Sequence, residues 1–377
     1  MANVIIIGPA YPLRGGLATY NERLAKAFQD QGDSVEIVTF SLQYPDFLFP
    51  GQTQYSSEPA PQNLTIKPLI NSVNPISWVK AGNYLKHKKP AIIIFRFWLP
   101  FMGPALGTIA RIVALNKFTK ILAITDNVIP HEKRIGDVPF TKYFLSPIQG
   151  FITMSRAVLQ DLEVLQAKKP KVYHAHPLYD NFGELESKAK ALQYLKLDPH
   201  YKYILFFGFI RAYKGLDLLL HAFADERLKS LPVKLIIAGE FYEDPQPYET
   251  IIKKYDMEER IIRATNFIPN NEVVHYFCAA DLVVQPYKHA TQSGVSQIAY
   301  HFDKPMLVTD VGGLAELIPD GKVGYVTPAE PQAIADALVD FYTHNREAEF
   351  TANIPALKKQ FSWESMLTVI KQLAYQV

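Results

Sequence analysis

Short runs of β-branched and aromatic residues alternate with longer stretches in which apolar residues return every three or four positions. NVIIIG (3–8) runs into a glycine turn and then LATYNERLAKAFQDQG, whose closing glycine is a helix stop, and SVEIVTF (34–40) follows. The first half continues with AIIIF (91–95), KILAIT (120–125), GFITM (150–154) and KVYHA (171–175). Runs this continuously apolar predict strands buried on both faces, which means a parallel sheet covered by helices. Residues 178–202, LYDNFGELESKAKALQYLKLDPHYK, break the rhythm with a loop, a short helix and a proline. It then restarts in YILFFG (203–208), VKLIIAG (233–239), RIIRATNFI (260–268), DLVVQPY (281–287), KPMLVTD (304–310) and GYVTP (324–328).

The fold expected is therefore α/β, with two Rossmann-like domains in tandem, residues 1–190 and 191–360, facing a cleft. The tail 361–377, FSWESMLTVIKQLAYQV, begins with a serine cap and carries apolar residues at helical spacing. It either finishes the second domain or crosses back to the first.

Composition narrows the class. The 377 residues are 48% hydrophobic and 20% charged, enough for two cores. Cys278, the single cysteine, rules out a disulfide within the chain and a cysteine-rich metal site, and in YFCAADLVV it reads as a core filler. MANVIIIGPAYP is too quickly interrupted for a signal peptide, and no stretch of about 20 apolar residues follows, so a cytoplasmic protein is expected. The formal charge of +2 hides an asymmetry: residues 1–190 hold 21 Lys and Arg against 14 Asp and Glu, whereas 191–377 hold 18 against 23. A basic first domain fits an anionic partner such as a membrane surface or a phosphorylated acceptor. Two short lysine clusters do not make a nucleic-acid module.

The chemistry concentrates in turns. GFIRAYKG (208–215) places Arg211 and Lys214 where a strand meets a helix start, whose free amides and dipole attract an anion. Arginine supplies a fork of donors and lysine a mobile point charge, both suited to phosphate; the competing reading is two solvated surface charges. Gly208 and Gly215 bound the turn. GPAYPLRGG puts Gly15 and Gly16 before the first helix, without the spacing of a dinucleotide fingerprint. His174 and His176 lack the partners of a metal site, and no Asp-x-Asp clamp is evident, so no metal is expected.

Four segments together, GPAYPLRGGLATYNERLAKAF, FFGFIRAYKGLDLLLHAF, ATQSGVSQIAYHFDKPMLVTDVGGLAELI and FSWESMLTVI, resemble the retaining, family-four glycosyltransferases of the GT-B fold. The resemblance implies a nucleotide-sugar donor held mainly by the second domain, an acceptor held by the first, transfer with retention, and no cofactor. On it, Arg211 and Lys214 clamp the donor diphosphate, and the amide of Gly16 approaches the same group. Thr291, Gln292, Ser293 and Gly294 form a turn that meets donor sugar or phosphate, or else caps the following helix. Glu316 follows the glycine pair Gly312 and Gly313 and meets either nucleotide or backbone amides.

The chain departs from the family where glutamates are usual. Gln297 stands at the position that accepts from ribose hydroxyls, and His289, eight residues earlier, at the other. The arginine comes two residues late, with Phe209 in its usual place. In AITDNVIPHEKR (123–134), Asp126 occupies the position of a family histidine and His131 follows. A carboxylate there orients the acceptor hydroxyl or takes up its proton, and a histidine hydrogen-bonds the sugar; turn or capping roles compete.

The activity implied is transfer of a sugar, most readily a hexose, from a UDP- or GDP-sugar to a hydroxyl of a saccharide or lipid-linked saccharide in polysaccharide or glycolipid synthesis. Other GT-B chemistry, such as nucleotide-sugar epimerisation or phosphorolysis, and a non-catalytic saccharide-binding protein remain as alternatives. The apolar FRFWLPFMGPALGTIARIVALNKF, with KHKK (86–89) and QAKKPK (166–171), is expected either as a cleft-side rim touching an anionic membrane or as a packed core helix.

Overall fold

A computed structural model describes residues 2–45, 48–49, 51–129 and 136–377. The chain forms two compact units, Met1–Pro177 together with Ser362–Val377, and Leu178–Phe361.

The first unit runs β1 (Asn3–Ile7), α1 (Gly16–Asp30), β2 (Ser34–Leu42), β3 (Thr65–Asn71), α2 (Pro75–Lys88), β4 (Ile92–Phe97), α3 (Gly103–Ala114), β5 (Lys120–Thr125), α4 (Asp137–Leu145), β6 (Gly150–Thr153), α5 (Arg156–Leu165) and β7 (Lys171–Tyr173). All seven strands are parallel, in the order β3-β2-β1-β4-β5-β6-β7. Strand order reverses between β1 and β4, the doubly wound arrangement in which ligands meet the carboxyl ends of strands. Strand β3 (TIKPLIN) is absent from the sequence reading, because its apolar alternation is weak and it contains Pro68. At the sheet edge, a missing N–H costs no ladder bond.

In the second unit come α6 (Lys188–Leu195), β8 (Lys202–Phe207), α7 (Leu216–Phe223), α8 (Glu226–Lys229), β9 (Val233–Ala238), α9 (Gln246–Lys254), β10 (Ile261–Ala264), α10 (Val273–Ala279), β11 (Leu282–Gln285), α11 (Gly294–His301), β12 (Met306–Thr309), β13 (Gly324–Thr327), α12 (Pro331–Thr343) and α13 (Glu347–Leu357). Its six strands are also parallel, in the order β10-β9-β8-β11-β12-β13, and reverse between β8 and β11. Cys278 is buried in α10.

The change of unit falls at Pro177–Leu178 rather than at 190. The intervening segment is tied to α10, since His275 stacks on Tyr194 at 3.6 Å and meets Glu186 at 2.5 Å. The tail helix α14 (Trp363–Gln376) counts with the first unit. Ser362 Oγ accepts from the Ser365 amide at 3.2 Å, and α14 buries Trp363, Met366, Leu367, Ile370 and Leu373.

Helix α3 takes the packed-core alternative: its Leu106, Ile109 and Val113 are fully buried, as is Met102 just before it. Gly103 and Gly107 let it close on Phe140 and Tyr143 of α4. KHKK and QAKKPK precede β4 and β7, so they lie at the amino ends of the strands and not at the carboxyl ends where the cleft-side rim was expected.

Candidate active site

The reversal between β8 and β11 opens the sheet of the second unit at the carboxyl ends of those strands, and two sequence-flagged turns leave there. After β8, Gly208 has φ +100°, and a Cβ on it would lie 2.9 Å from the Lys214 ammonium. The chain is then pinned alongside β9 by Ile210 N–H to Glu240 O (2.9 Å) and Tyr242 N–H to Ile210 O (3.0 Å). A 3-10 turn, Ala212–Lys214, is held from outside by the Ala212 amide donating to Glu243 Oε2 at 2.6 Å. Gly215, with φ +67°, brings its Cα so close to Pro286 that a Cβ would sit 1.9 Å from the Pro286 carbonyl. Only glycine fits that left-handed, crowded position. Helix α7 starts there, anchored by buried Leu216, Leu219, Leu220 and Phe223.

This geometry buries Lys214, which is 9% exposed and whose ammonium makes no hydrogen bond or ion pair among the described residues, although its amide donates to Arg211 O at 2.9 Å. Its ammonium lies 5.5 Å from the Tyr287 ring centroid. Burial first, and the Arg211 charge second, pull its pKa from 10.5 to about 8. Arg211 is exposed, its guanidinium 5.0 Å from the Tyr242 ring centroid, and Phe209 stacks on the same ring at 4.2 Å. One cation is thus fixed and desolvated, and the other is anchored on an aromatic face.

Across the reversal, the loop after β11 carries His289, Thr291, Gln292 and Ser293. Lys288 pairs with Asp217 at 2.7 Å, and a Cβ on Gly312 would meet the Ala290 carbonyl at 1.6 Å, so this loop presses on the turn after β12. Ser293 Oγ caps α11 through the Val295 amide (3.2 Å) and lies 3.2 Å from the Tyr287 hydroxyl. Gly294 opens the helix against Tyr179, and Thr291 and Gln292 are half-buried. Gln297 is fully buried, and neither its Oε1 nor its Nε2 has a hydrogen-bond partner among the described residues. Its neighbour Ser296, by contrast, bonds Gln285 reciprocally at 3.0 and 3.2 Å. Two buried, unpaired amide atoms cost several kcal/mol and call for a ligand or a water (about 1–3 kcal/mol each). Glu316 is exposed on a 3-10 turn, Ala315–Leu317, and His289 is exposed in its loop.

In the first unit, Gly15 (φ +103°) precedes α1, which begins at Gly16, and offers no side chain to cap it. Asp126 directly follows β5, its amide bonded to Phe97 O at 2.8 Å. Its two carboxylate oxygens accept from Arg96 Nε and Nη2, each at 2.5 Å. Arg96 is 2% exposed and lies 3.9 Å from the Tyr20 ring centroid. Tyr20 also packs against His176 and Trp363, each at 5.0 Å. Burial holds His176 neutral, with its pKa pulled down to about 3, and pushes the Tyr20 hydroxyl up to about 12. A carboxylate gripped on both oxygens by one guanidinium suits orienting a hydroxyl better than removing its proton. His131 lies outside the described residues.

The sequence reading missed Tyr242, Glu243, Tyr287 and the Arg96 partnership. Of these, only Arg96 had a signal, a charge inside an apolar strand. Among the described residues, no group of three or more His, Cys, Asp or Glu could hold a metal ion.

The sequence model of the family described as Glycosyl transferases group 1 matches residues 201–344, which contain both turns. The two-unit fold matches sucrose-phosphate synthase from Thermosynechococcus elongatus with a TM-score of 0.74 at 17% identity, over 99% of this chain and 98% of that one. The chain is a GT-B-fold protein related to the group 1 glycosyl transferases. The GT-B fold is matched again, with a TM-score of 0.74 at 16% identity and full coverage of both chains, by Anabaena HepE in complex with UDP and glucose. Among curated sequences, a D-inositol 3-phosphate glycosyltransferase of Corynebacterium urealyticum is 30% identical over 183 residues, 46% of this chain. The chain spans less than half of that relative's length, 42%.

Proposed function

We propose that this GT-B protein is a retaining glycosyltransferase that moves a sugar, most readily a hexose, from a UDP- or GDP-sugar to a hydroxyl of a saccharide or lipid-linked saccharide. The observation that carries the reading is Lys214, a buried ammonium with no counter-charge among the described residues, at the switch point of a doubly wound sheet. Such a charge is unfavourable in the empty protein and becomes favourable when a diphosphate arrives. A relative in fold binds UDP and glucose, which supports the same ligand class here.

In the reaction, the bond from the anomeric carbon to the β-phosphate oxygen breaks, and its electron pair stays on the nucleoside diphosphate. Lys214 and Arg211 stabilise that growing charge, and the residues around Gly208 and Gly215 hold them there. The acceptor hydroxyl bonds to the anomeric carbon on the face the leaving group vacates, and its proton passes to the departing phosphate oxygen. Asp126, oriented by Arg96, aligns that hydroxyl, and His131 belongs to the same acceptor-side proposal. Gln297 accepts from and donates to the ribose hydroxyls. Thr291, Gln292, Ser293, Gly294 and Glu316 line the donor, and Gly15 and Gly16 offer the first unit's backbone amides to phosphate. No cofactor enters these steps. The reading includes peripheral contact with an anionic membrane on its cytoplasmic side; among the described residues, no helix is long and apolar enough to cross a membrane.

The test is turnover of UDP- and GDP-sugars by the wild type and by Lys214→Ala. Loss of one well-placed donor to the leaving group lowers kcat by roughly a hundredfold or more. Near wild-type turnover by the variant overturns the reading.

A further inference from the structure

We propose that the amino-terminal edge of the first unit's sheet, from β4 to β7, is a docking surface for an anionic lipid bilayer. This deepens the membrane part of the reading above and is independent of glycosyl transfer. Two exposed apolar side chains, Leu115 (64% exposed) and Phe118 (58%), stand on the loop between α3 and β5 with Lys117 between them. That loop is rigid. Asn116 Oδ1 accepts from the amides of Phe118 (2.9 Å) and Thr119 (3.0 Å), and Asn116 Nδ2 donates to Lys86 O (3.4 Å). The last bond places the loop beside the end of α2, with Lys86 and Lys89; Thr119 Oγ1 reinforces it by donating to Pro90 O at 2.8 Å.

Further along the same edge, the loop before β7 brings Lys168, about 10 Å from the α3–β5 loop by strand spacing. Lys89, Lys117 and Lys168 are exposed and Lys86 is half-buried, and none of the four makes an ion pair among the described residues. The nearby acids Asp33 and Glu36 are already held by Lys371 and by Lys88 and Lys67. Exposed Glu163, on the last turn of α5, opposes the field without cancelling four lysines.

Chemistry favours a bilayer over a protein partner. Two apolar side chains on a projecting loop cover far less than the roughly 1,200 Å² a stable protein interface needs. Shallow insertion of such tips, with lysines among headgroup phosphates, is how interfacial binding works. One consequence concerns the acceptor. This edge lies at the opposite end of the strands from Asp126, about 20 Å away for strands of this length. A bilayer docked here suits an acceptor saccharide that stands off from the headgroups.

The experiment is flotation of the full chain with phosphatidylcholine vesicles, with and without phosphatidylglycerol, at about 0.15 M salt. The wild type binds the anionic vesicles, and the triple variant Lys86→Glu, Lys89→Glu, Lys117→Glu binds them at least about a hundredfold more weakly. Leu115→Ser with Phe118→Ser weakens binding at low salt and at high salt alike. In Phe118→Trp, the added indole emission shifts to the blue on anionic vesicles. Equal binding to both vesicle types, indifference to the lysine reversals, or an indole emission in Phe118→Trp that does not move overturns the proposal. Dissociation of a dimer by these same changes in lipid-free sedimentation also overturns it, because the occupant is then a second copy of the chain. Donor turnover measured in parallel keeps failure here distinct from failure of the transferase reading.

Discussion

Lys214 and Gln297 are both unfavourable in the empty protein, so altering either should trade activity for stability. The folded-state pKa of Lys214, about 8, lies below the 10.5 of an unburied lysine, so the unfolded chain binds the extra proton between those values. The cost of its charge is complete below pH 8 and fades as pH rises toward 10.5, and it amounts to about 3 kcal/mol. Lys214→Met should therefore raise the melting temperature at pH 7, with the gain shrinking by pH 10, while turnover collapses. Melting curves across that range check it, and a destabilised variant at pH 7 would mean that the ammonium has a partner. UDP affinity of the wild type should be flat below pH 8 and decline above it. Gln297→Met removes two unpaired buried amide atoms at about 1–3 kcal/mol each, so the empty protein gains about 2–6 kcal/mol. If the ribose binds there, the same variant loses most of the thermal protection given by UDP; an unchanged shift would remove Gln297 from the nucleotide site.

At the scale of elements, turns do the positioning. The turn from Gly208 to Gly215 is held by backbone bonds to the end of β9 and by the approach of Gly215 to Pro286, so Gly215→Ala combines a left-handed φ with a clash. Turnover in that variant should fall at least tenfold with the fold retained, read as lost activity beside an unchanged circular dichroism spectrum. The first unit's glycine turn has its own support. Glu22 on α1 accepts from the Tyr11 amide at 2.8 Å, and burial foremost, with Glu58 adding to it, raises its pKa from 4.5 to about 7. Here the folded chain binds the extra proton, so the cost is absent below pH 4.5 and complete above pH 7. Glu22→Gln keeps the acceptor for Tyr11 and should stabilise by up to about 3 kcal/mol at pH 8 and by nothing near pH 4. These elements were legible to different degrees. The apolar runs at 3–8, 203–208 and 233–239 are β1, β8 and β9 nearly to the residue, because strands buried on both faces leave an unbroken apolar signature. Strand β3 was not legible, since an edge strand needs neither full burial nor an amide at Pro68. The burial of Lys214 could not be read either: a lysine beside a glycine turn looks the same whether its ammonium points to water or is enclosed by Tyr287 and the backbone of Gly208.

Across the whole molecule, the doubly wound sheets and the flanking helices follow from periodicity, whereas strand order and the fate of the tail depend on contacts between residues far apart in sequence. Asp126 and Arg96 show the same divide, since Asp126 could be singled out from its turn but its pairing with Arg96, 30 positions away, appeared only in the folded chain. The tail yields the last test. Helix α14 buries Trp363, Met366, Leu367, Ile370 and Leu373 within the first unit, and Leu373 fills the space beside Gly150 of β6. At about 2 kcal/mol for each buried side chain, its loss removes about 10 kcal/mol, which is as large as the entire stability of an ordinary domain. A chain ending at Phe361 should therefore exchange its amide hydrogens rapidly throughout β1, β4, β5 and β6 while β8, β9, β11 and β12 stay protected. Hydrogen exchange resolved by peptide measures both sets at once. Equal loss in the two units would show that α14 supports them jointly, and no loss in either would show that its apolar face is dispensable to the first.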